Sequence, residues 1–364
     1  MESGVSFRRG CLLGIAIGDA LGYATDGKSW EEIRRDYGDS GLQGYDLKNS
    51  DWAEITSYTQ LAAFTACGLL SGLTRSGDKE HLKYITGAMQ EWAQCQKNRA
   101  APYRGLCWVA QLPQLRRRTC MDTRMVESLT RWRPGSLRRP ANSFSAPSAI
   151  TAAAAVGIFF EPGRMDPTEI GILAAQTVAL THGDPETFLA GAVVAYVLAG
   201  ILQDPELTLA EQYQQAVQIT AQQFEKRHPQ EMAALTAKVN KAISMVKHLE
   251  LEPRQVMDML GCGTAAECMA GAMYACLIHP GNFDEAVTVA VNHGGRTCAT
   301  GALTGAIMGA RLGDAVLKDF YLESLECTQA LLCLADDLDR GKLSARIFDD
   351  SWDQKYIQGQ PVLE

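Results

Sequence analysis

A polar turn that leads into a helix of small residues is the part of this sequence best suited to hold a small ligand. It lies in "VNHGGRTCATGALTGAIMGA", residues 291–310. The arginine after the two glycines carries a fixed positive charge, which pairs well with a phosphate or a carboxylate. The cysteine that follows is a poor ligand for Mg²⁺ or Mn²⁺. The residues predicted to bind a ligand here are Gly294, Gly295, Arg296, Thr297 and Cys298.

The sequence lacks the motifs of several common sites. No P-loop, H-E-x-x-H, G-x-S-x-G or EF-hand pattern occurs, and the six histidines have no zinc-like spacing. The segment "GCGTAA" at 261–266 lacks the third glycine of a dinucleotide-binding fingerprint. These observations argue against the usual nucleotide, zinc and calcium sites.

The composition describes a globular protein with a large core. The chain has 364 residues, of which 46% are hydrophobic and 21% are charged. Its net charge of -8 argues against broad binding to nucleic acid or to a membrane surface, because both need a basic face. The eleven cysteines include no C-x-x-C pair, which is typical of small buried residues in a reducing cytosol. We expect a cytoplasmic protein with no signal peptide and no membrane span.

Apolar residues recur at helical spacing along nearly the whole chain, and runs with strand periodicity are scarce. Asp166, Asp184 and Asn282 each precede such a helical run, where they can cap its first turn. No βαβ alternation or solenoid repeat is present. We therefore predict an all-α fold in a single compact domain that covers residues 1–364. The predicted helices are 6–22, 54–73, 79–98, 168–181, 185–202, 207–227, 231–248, 264–279, 283–293, 297–311 and 320–339.

Two of the predicted helices contain several glycines. Helix 6–22 includes "GCLLGIAIGDALG", and helix 297–311 includes "GALTGAIMGA". Glycine costs up to about 1 kcal/mol in a helix interior, so repeated glycines need a structural reason. They indicate either the close approach of two buried helices or space above a bound ligand.

The segment 103–146 differs from the rest of the chain because arginines and prolines are concentrated in it. The prolines indicate that part of the segment is loop, and Trp108 and Trp132 lie among the basic residues. The segment is either a solvated surface or a lobe that binds an anion or an acidic protein partner. Its arginines are Arg104, Arg116, Arg117, Arg118, Arg124, Arg131, Arg133, Arg138 and Arg139.

Four separate stretches resemble the ADP-ribosylglycohydrolase family in their order and spacing. They are "GCLLGIAIGDALG" (10–22), "ITSYTQLAAFTACGLL" (55–70), "ALTHGDPETFLAGAVVAYVLA" (179–199) and the long run 263–310, which contains the polar turn. The resemblance covers most of the chain and implies an orthogonal bundle of helices. It also implies hydrolysis of the bond between ADP-ribose and an acceptor, with two Mg²⁺ or Mn²⁺ ions held by aspartates and hydroxyl groups.

The aspartates that the resemblance implies for metal binding are replaced in this sequence. Thr56 matches the family threonine, but Ser57 and Tyr58 stand where the paired aspartates are expected. All three are candidate ligand-binding residues. Arg296 and Cys298 stand at the other two aspartate positions. A divalent ion about 5 Å from a guanidinium would be repelled by roughly 7 kcal/mol at an effective dielectric of about 20. We therefore predict that the Mg²⁺/Mn²⁺ pair is absent and that the chain has no metal cofactor.

The resemblance places further residues at the same cleft. Asp26 stands where the family has an acidic residue that helps catalysis, and it is the candidate catalytic residue. Asp19 and Asp26 are both candidate partners of Arg296, which pairs with a ligand or merely fills a site that has lost its function. His182 matches a family histidine near the substrate, although a helix-end histidine bonded to backbone carbonyls fits equally well. In the region of the family's phosphate-binding loop, "NSFSAPSAITA", the candidate ligands are Ser143, Ser145 and Ser148.

Three functions fit these residues. The first is a pseudoenzyme that binds ADP-ribose, an ADP-ribosylated protein or a related nucleotide, and we favour it. The second is a metal-independent hydrolase of an ADP-ribosyl bond, with Asp26 as general base and Arg296 as electrostatic stabiliser. The third is an interaction protein that binds an acidic partner through segment 103–146.

Overall fold

Every regular element in the described part of the chain is helical, so the predicted all-α class is confirmed. The computed structural model describes residues 4–48, 50–97, 105, 107–119, 122–131, 133–162, 165–344 and 349–363. Arg104, Cys120 and Trp132 lie outside these described residues. The α-helices within them are α1 (Gly4–Tyr23), α2 (Trp30–Tyr37), α3 (Ser57–Ser76), α4 (His81–Lys97), α5 (Pro113–Arg116), α6 (Thr123–Thr130), α7 (Ile150–Ile158), α8 (Pro167–Ala179), α9 (Pro185–Gln203), α10 (Leu209–Phe224), α11 (Pro229–Met245), α12 (Pro253–Leu260), α13 (Ala265–Ile278), α14 (Phe283–Val291), α15 (Thr297–Leu312), α16 (Asp319–Ser324), α17 (Thr328–Ser344) and α18 (Asp350–Tyr356).

Capping residues begin several helices where the sequence predicts them. The side chain of Asp166 accepts a hydrogen bond from the backbone of Thr168 at the start of α8. Asp184 does the same at the start of α9, and Asn282 at the start of α14. These bonds satisfy N–H groups that have no partner inside their own helix. All three predicted caps are confirmed.

The prediction of one helix over 320–339 is wrong, because the chain breaks between α16 and α17. Cys327 has a left-handed backbone with φ of 59°. Just before it, the Glu326 carboxylate accepts hydrogen bonds from the backbone N–H of Ile55 and from Arg117, each at 2.7 Å. These tertiary bonds stop the helix, and apolar spacing along the chain gives no sign of them.

The two glycine-rich helices, α1 and α15, run antiparallel in contact along their whole length. Gly10, Gly14 and Gly18 lie against Gly309, Gly305 and Gly301, in that order. A Cβ atom on Gly14 would lie 2.6 Å from the carbonyl carbon of Gly305, whereas ordinary contact is 3.4–4 Å. Close helix approach is therefore the reason for these glycines. We call this contact the glycine seam.

Helix α9 is long and apolar enough to cross a membrane by length and composition alone. However, 78% of its most apolar window is buried inside the fold, against α7, α8 and α10. A helix that is apolar on all sides and covered in this way is typical of a protein core.

The cysteines among the described residues also belong mainly to the core. All of them except Cys327 and Cys333 are buried, and none forms a disulfide. This placement agrees with the prediction that the thiols behave as small hydrophobic side chains.

Segment 103–146, which is rich in arginine, packs against α3 and α4. The contacts come from α5, α6 and a short 3-10 helix at Trp108–Gln111. The indole of Trp108 is fully buried. Arg117 donates to Glu326 and, at 3.1 Å, to Glu54, so it serves the structure rather than a partner. The arginines of the segment that remain exposed are Arg118, Arg124, Arg131, Arg133, Arg138 and Arg139.

Candidate ligand-binding cleft

A cleft of about 580 Å³ opens where the starts of α3 and α15 meet the loop that precedes α7. Nine of the residues predicted from the sequence line it, and five do not. The lining set is Asp26, Thr56, Ser57, Tyr58, Ser143, Ser145, Ser148, Arg296 and Cys298. The predicted residues that do not line it are Asp19, His182 and Thr297, which are fully buried, and Gly294 and Gly295.

Arg296 and Asp26 form an ion pair at the mouth of the cleft. The Nη1 atom of Arg296 lies 3.4 Å from Oδ2 of Asp26, and the backbone N–H of Cys298 donates to Oδ1 at 3.3 Å. Burial raises the pKa of Asp26, while the Cys298 amide and the Arg296 guanidinium oppose that shift. The Arg296 side chain is 54% exposed. A positive group is therefore available to a ligand at this point.

Asp19 is not a partner of Arg296, so that prediction is wrong. Its carboxylate is fully buried. It accepts four hydrogen bonds of 2.6–3.1 Å, from the backbone N–H and the hydroxyl of both Thr56 and Thr59. A carboxylate with four donors at the first turn of α3 stabilises that helix start. Asp19 thus positions Thr56 from behind the cleft wall.

The turn before α15 is held by backbone contacts that require glycine. The N–H of Arg296 donates to the carbonyl of Cys262 at 2.8 Å, and a Cβ on Gly295 would lie 2.6 Å from that same oxygen. The N–H of Gly294 donates to Asp258 at 3.1 Å. Buried Thr297 donates to the carbonyl of Gly22 at the end of α1. These contacts fix the backbone from which Arg296 and Cys298 project into the cleft.

The opposite wall of the cleft is built around the ring of Phe144. The guanidinium of Arg124 lies over this ring at 3.9 Å from its centroid, and the imidazole of His182 stacks on it at 4.6 Å with an interplanar angle of 18°. Asp122 holds Arg124 through hydrogen bonds of 2.6–3.1 Å. This wall offers a second positive group, which covers the ring of Phe144.

The sequence profile described as ADP-ribosylglycohydrolase matches residues 6–346. The chain belongs to the ADP-ribosylglycohydrolase family. A search of curated proteins finds no match. A solved structure titled "ADP-ribosylglycohydrolase-related protein complex" is similar in fold, with a TM-score of 0.62 and 19% sequence identity over 94% of this chain and 100% of that chain.

Sequence reasoning missed six cleft residues: Asp122, Arg124, Phe144, Ala146, Pro147 and Gly263. Arg124 was recognised only as one of many arginines in segment 103–146, and Phe144 only as part of a serine-rich loop. Aromatic and arginine side chains that share one loop region are a recurring way to bind planar groups. That combination is the signal that could have identified this wall from the sequence.

His293, beside the glycine turn, makes stability depend on pH. Its Nδ1 accepts from the N–H of Gly295 at 3.0 Å, and its Nε2 lies 3.0 Å from the carbonyl of Ala290. Burial lowers the pKa of His293 to about 4, against about 6.5 in an unfolded chain. His293 binds a proton less readily in the folded chain than in the unfolded chain. The stability that neutral His293 contributes is therefore complete above about pH 6.5 and is lost as the pH falls toward about 4.

We therefore expect His293→Gln to flatten the dependence of unfolding free energy on pH. The slope between about pH 6.5 and about pH 4.5 should fall by up to about 1.4 kcal/mol per pH unit. Urea unfolding followed by circular dichroism at several pH values measures this slope. Exposed His248 provides the matched control, His248→Gln. An unchanged slope in His293→Gln would show that His293 is not the group that titrates.

Proposed function

We propose that this family member is a pseudoenzyme that binds ADP-ribose, an ADP-ribosylated protein or a related nucleotide without a divalent metal. The observation that carries the proposal is the Arg296–Asp26 ion pair at 3.4 Å in the wall of the cleft. It supplies positive charge at a position where the family resemblance implies a metal-binding aspartate. A guanidinium pairs with phosphate oxygens through two donors in a fixed plane.

The donor set of the cleft supports the metal-free part of this proposal. Two hard divalent ions need several oxygen ligands, mostly carboxylates. The cleft has only two lining carboxylates among its described residues, and each is already paired, Asp26 with Arg296 and Asp122 with Arg124. Among the residues that the structure describes, no group of three or more His, Cys, Asp or Glu side chains is placed to hold a metal ion. These residues do not fit the family's metal pair.

The shape and charge of the cleft support a nucleotide-like ligand. Its volume of about 580 Å³ lies within the range of small-molecule sites. Arg296 and Arg124 provide positive charge on two walls for a diphosphate. The ring of Phe144 provides an aromatic surface, although Arg124 covers one of its faces and must move for a base to stack there.

Calorimetric titration with ADP-ribose, once with Mg²⁺ and once with EDTA, tests the proposal. We expect a Kd of about micromolar order that changes by less than about twofold when EDTA replaces Mg²⁺. Binding only with Mg²⁺ would contradict the metal-free site, because ligands for the ion would then exist. The absence of binding in both buffers would contradict the ligand itself.

A second candidate function is metal-independent hydrolysis, which the position of Asp26 favours. Burial raises the pKa of its carboxyl, and raised carboxyl pKa values are typical of general acids and bases. Under this candidate, the wild-type protein releases ADP-ribose from a modified peptide in EDTA and Asp26→Asn does not. Under the pseudoenzyme proposal, neither protein releases it.

A third candidate, binding of an acidic protein partner, rests on the exposed arginines of segment 103–146. Arg133, Arg138 and Arg139 are exposed on the stretch that leads into the cleft wall at Ser143. Reversing the charge of Arg138 and Arg139 to glutamate should abolish binding of an acidic peptide under this candidate. The same variants should leave the affinity for free ADP-ribose unchanged, which separates the two sites.

A further inference from the structure

Ser148, His182 and Thr181 form a chain of polar side chains that ends in the cleft. The Oγ atom of Ser148 lies 3.1 Å from Nε2 of His182, and Nδ1 of His182 lies 2.7 Å from Oγ1 of Thr181. Ser148 lines the cleft, whereas His182 and Thr181 are fully buried behind it. Phe144 stacks on the imidazole and holds its plane.

A carbonyl beside this chain is the basis for assigning its protons. The hydroxyl of Thr181 lies 3.3 Å from the carbonyl of Val178. A carbonyl only accepts hydrogen bonds, so we assign the proton of the Thr181 hydroxyl to this contact. The oxygen of Thr181 then accepts the proton on Nδ1 of His182. Nε2 is left with a lone pair, which accepts the hydroxyl proton of Ser148.

This arrangement makes Ser148 unsuitable as a phosphate ligand. A phosphate needs hydrogen-bond donors, but the proton of Ser148 points to His182. What Ser148 presents to the cleft is the lone pairs of its oxygen. Lone pairs can attack an electrophilic carbon. A serine hydroxyl that is hydrogen-bonded to a neutral imidazole, with a third group orienting that imidazole, has the arrangement of an activated nucleophile.

We propose that Ser148 is a nucleophile that takes the acyl group from a carboxylic ester bound in the cleft, with His182 as general base and Thr181 as a positioning residue. The inference rests on these three side chains and concerns cleavage of an ester, not of an ADP-ribosyl bond. It is therefore compatible with the proposed loss of ADP-ribosyl hydrolysis and stands whether or not the cleft binds ADP-ribose.

The step needs no redox partner. The oxygen of Ser148 attacks the ester carbonyl while its proton passes to Nε2 of His182. The tetrahedral intermediate collapses, the alcohol leaves with that proton, and an acyl-serine remains, which water hydrolyses by the same route. Ser148 and Ala149 begin the helical segment Pro147–Ile158, so their N–H groups lack carbonyl partners within the helix. In the proposed step these N–H groups are the donors for the oxyanion.

The surroundings of His182 give the reaction an unusual pH dependence. The pKa of His182 is lowered to about 3, mainly by burial. The negative charge of Asp122 acts to raise this pKa, and the positive charge of Arg124 acts to lower it. The imidazole is therefore neutral and able to accept a proton even in mild acid. A weak base of this kind also limits the rate, so an activated ester is the appropriate probe.

The test uses p-nitrophenyl acetate with the full-length protein. We expect release of p-nitrophenolate with one acetyl group per protein, found on the peptide that contains Ser148. Ser148→Ala and His182→Gln should each lower the initial rate by about 10²-fold. Thr181→Val should lower it about tenfold, and Thr181→Ser should restore it. Ser244→Ala, at an exposed serine away from the cleft, is the matched control and should leave the rate unchanged.

The pH profile separates a base from a merely structural histidine. Because His182 stays neutral, the initial rate should be nearly constant from about pH 8 down to about pH 5. An ordinary histidine base would lose most of its activity below about pH 6.5. Equal rates in wild type and Ser148→Ala, acetylation at another side chain, or a rate that falls near pH 6.5 would each overturn the proposal.

Discussion

Replacing Gly14 with alanine should destabilise the protein by about 3–5 kcal/mol, a large part of the 5–15 kcal/mol typical of a folded domain. The new Cβ would lie 2.6 Å from the carbonyl carbon of Gly305. No side-chain rotation relieves this contact, because the position of a Cβ is fixed by its own backbone and its partner is a backbone atom. The helices α1 and α15 must therefore separate, and the buried surface between them loses its packing. Urea unfolding followed by circular dichroism measures the loss.

Gly87→Ala is the matched control for this prediction. Gly87 lies inside α4, and nothing is within 4 Å of the position of its added Cβ. Alanine there should stabilise the protein by about 0.5–1 kcal/mol, since glycine is the poorer helix former. If Gly14→Ala unfolds at the same urea concentration as wild type, α1 and α15 do not approach each other as closely as described.

A double variant tests whether the loss comes from the separation of the two helices. Gly14 and Gly305 each face the carbonyl of the other, so Gly305→Ala alone should cost about as much as Gly14→Ala. Once one Cβ has separated the helices, the second meets less resistance. The combined cost should therefore be well below the sum of the single costs.

The glycine seam also positions the cleft. At its end, Gly22 lies against Thr297, and Thr25 donates to the carbonyl of Val291 at 2.7 Å. The chain then turns at Gly27, whose N–H donates to the carbonyl of Gly295. These contacts place the loop after α1 beside the start of α15. The Asp26–Arg296 pair is thus a consequence of how closely two helices far apart in the sequence approach.

The helical fold was predictable because its signals are local. Apolar spacing located α1, α9 and α15, and single capping residues such as Asp184 located helix starts. Short helices escaped the prediction, α2 and α6 among them, because seven or eight residues contain too few turns to show a period. The break at Cys327 depends on Glu326 bonding across the fold, and a linear pattern does not contain that information.

The cleft was predictable only where its residues lie in the stretches that resemble the family. Ser57 and Arg296 stand at helix starts that the family resemblance marks, and both line the cleft. Asp19 stands in an equally clear motif, yet it faces Thr56 and Thr59 because α1 passes behind α3. The bond between Ser148 and His182 joins residues 34 positions apart, and no spacing rule pairs them.

Arg296→Ala should weaken ADP-ribose binding by about 10- to 100-fold. A hydrogen bond to a charged group contributes about 1.5–3 kcal/mol, and each 1.4 kcal/mol is about tenfold in Kd. The loss should lie near the upper end, because Asp26 then keeps its negative charge beside the ligand with no cation to balance it. Titration calorimetry in EDTA measures the change. Arg35→Ala, at an exposed arginine outside the cleft, is the control and should bind as wild type does.

Adding Asp26→Asn to Arg296→Ala distinguishes a binding role from a structural one. If Arg296 binds the ligand and also balances Asp26, removing the carboxylate charge should recover part of the lost affinity, giving a favourable coupling in the double-mutant cycle. Arg296→Lys should recover less than full affinity, because an ammonium group cannot pair with two phosphate oxygens in one plane. If Arg296 merely fills a site that has lost its function, Arg296→Ala should lower the free energy of unfolding and leave Kd unchanged. An Arg296 that binds the ligand affects Kd, whereas an Arg296 that only fills the site affects the free energy of unfolding alone.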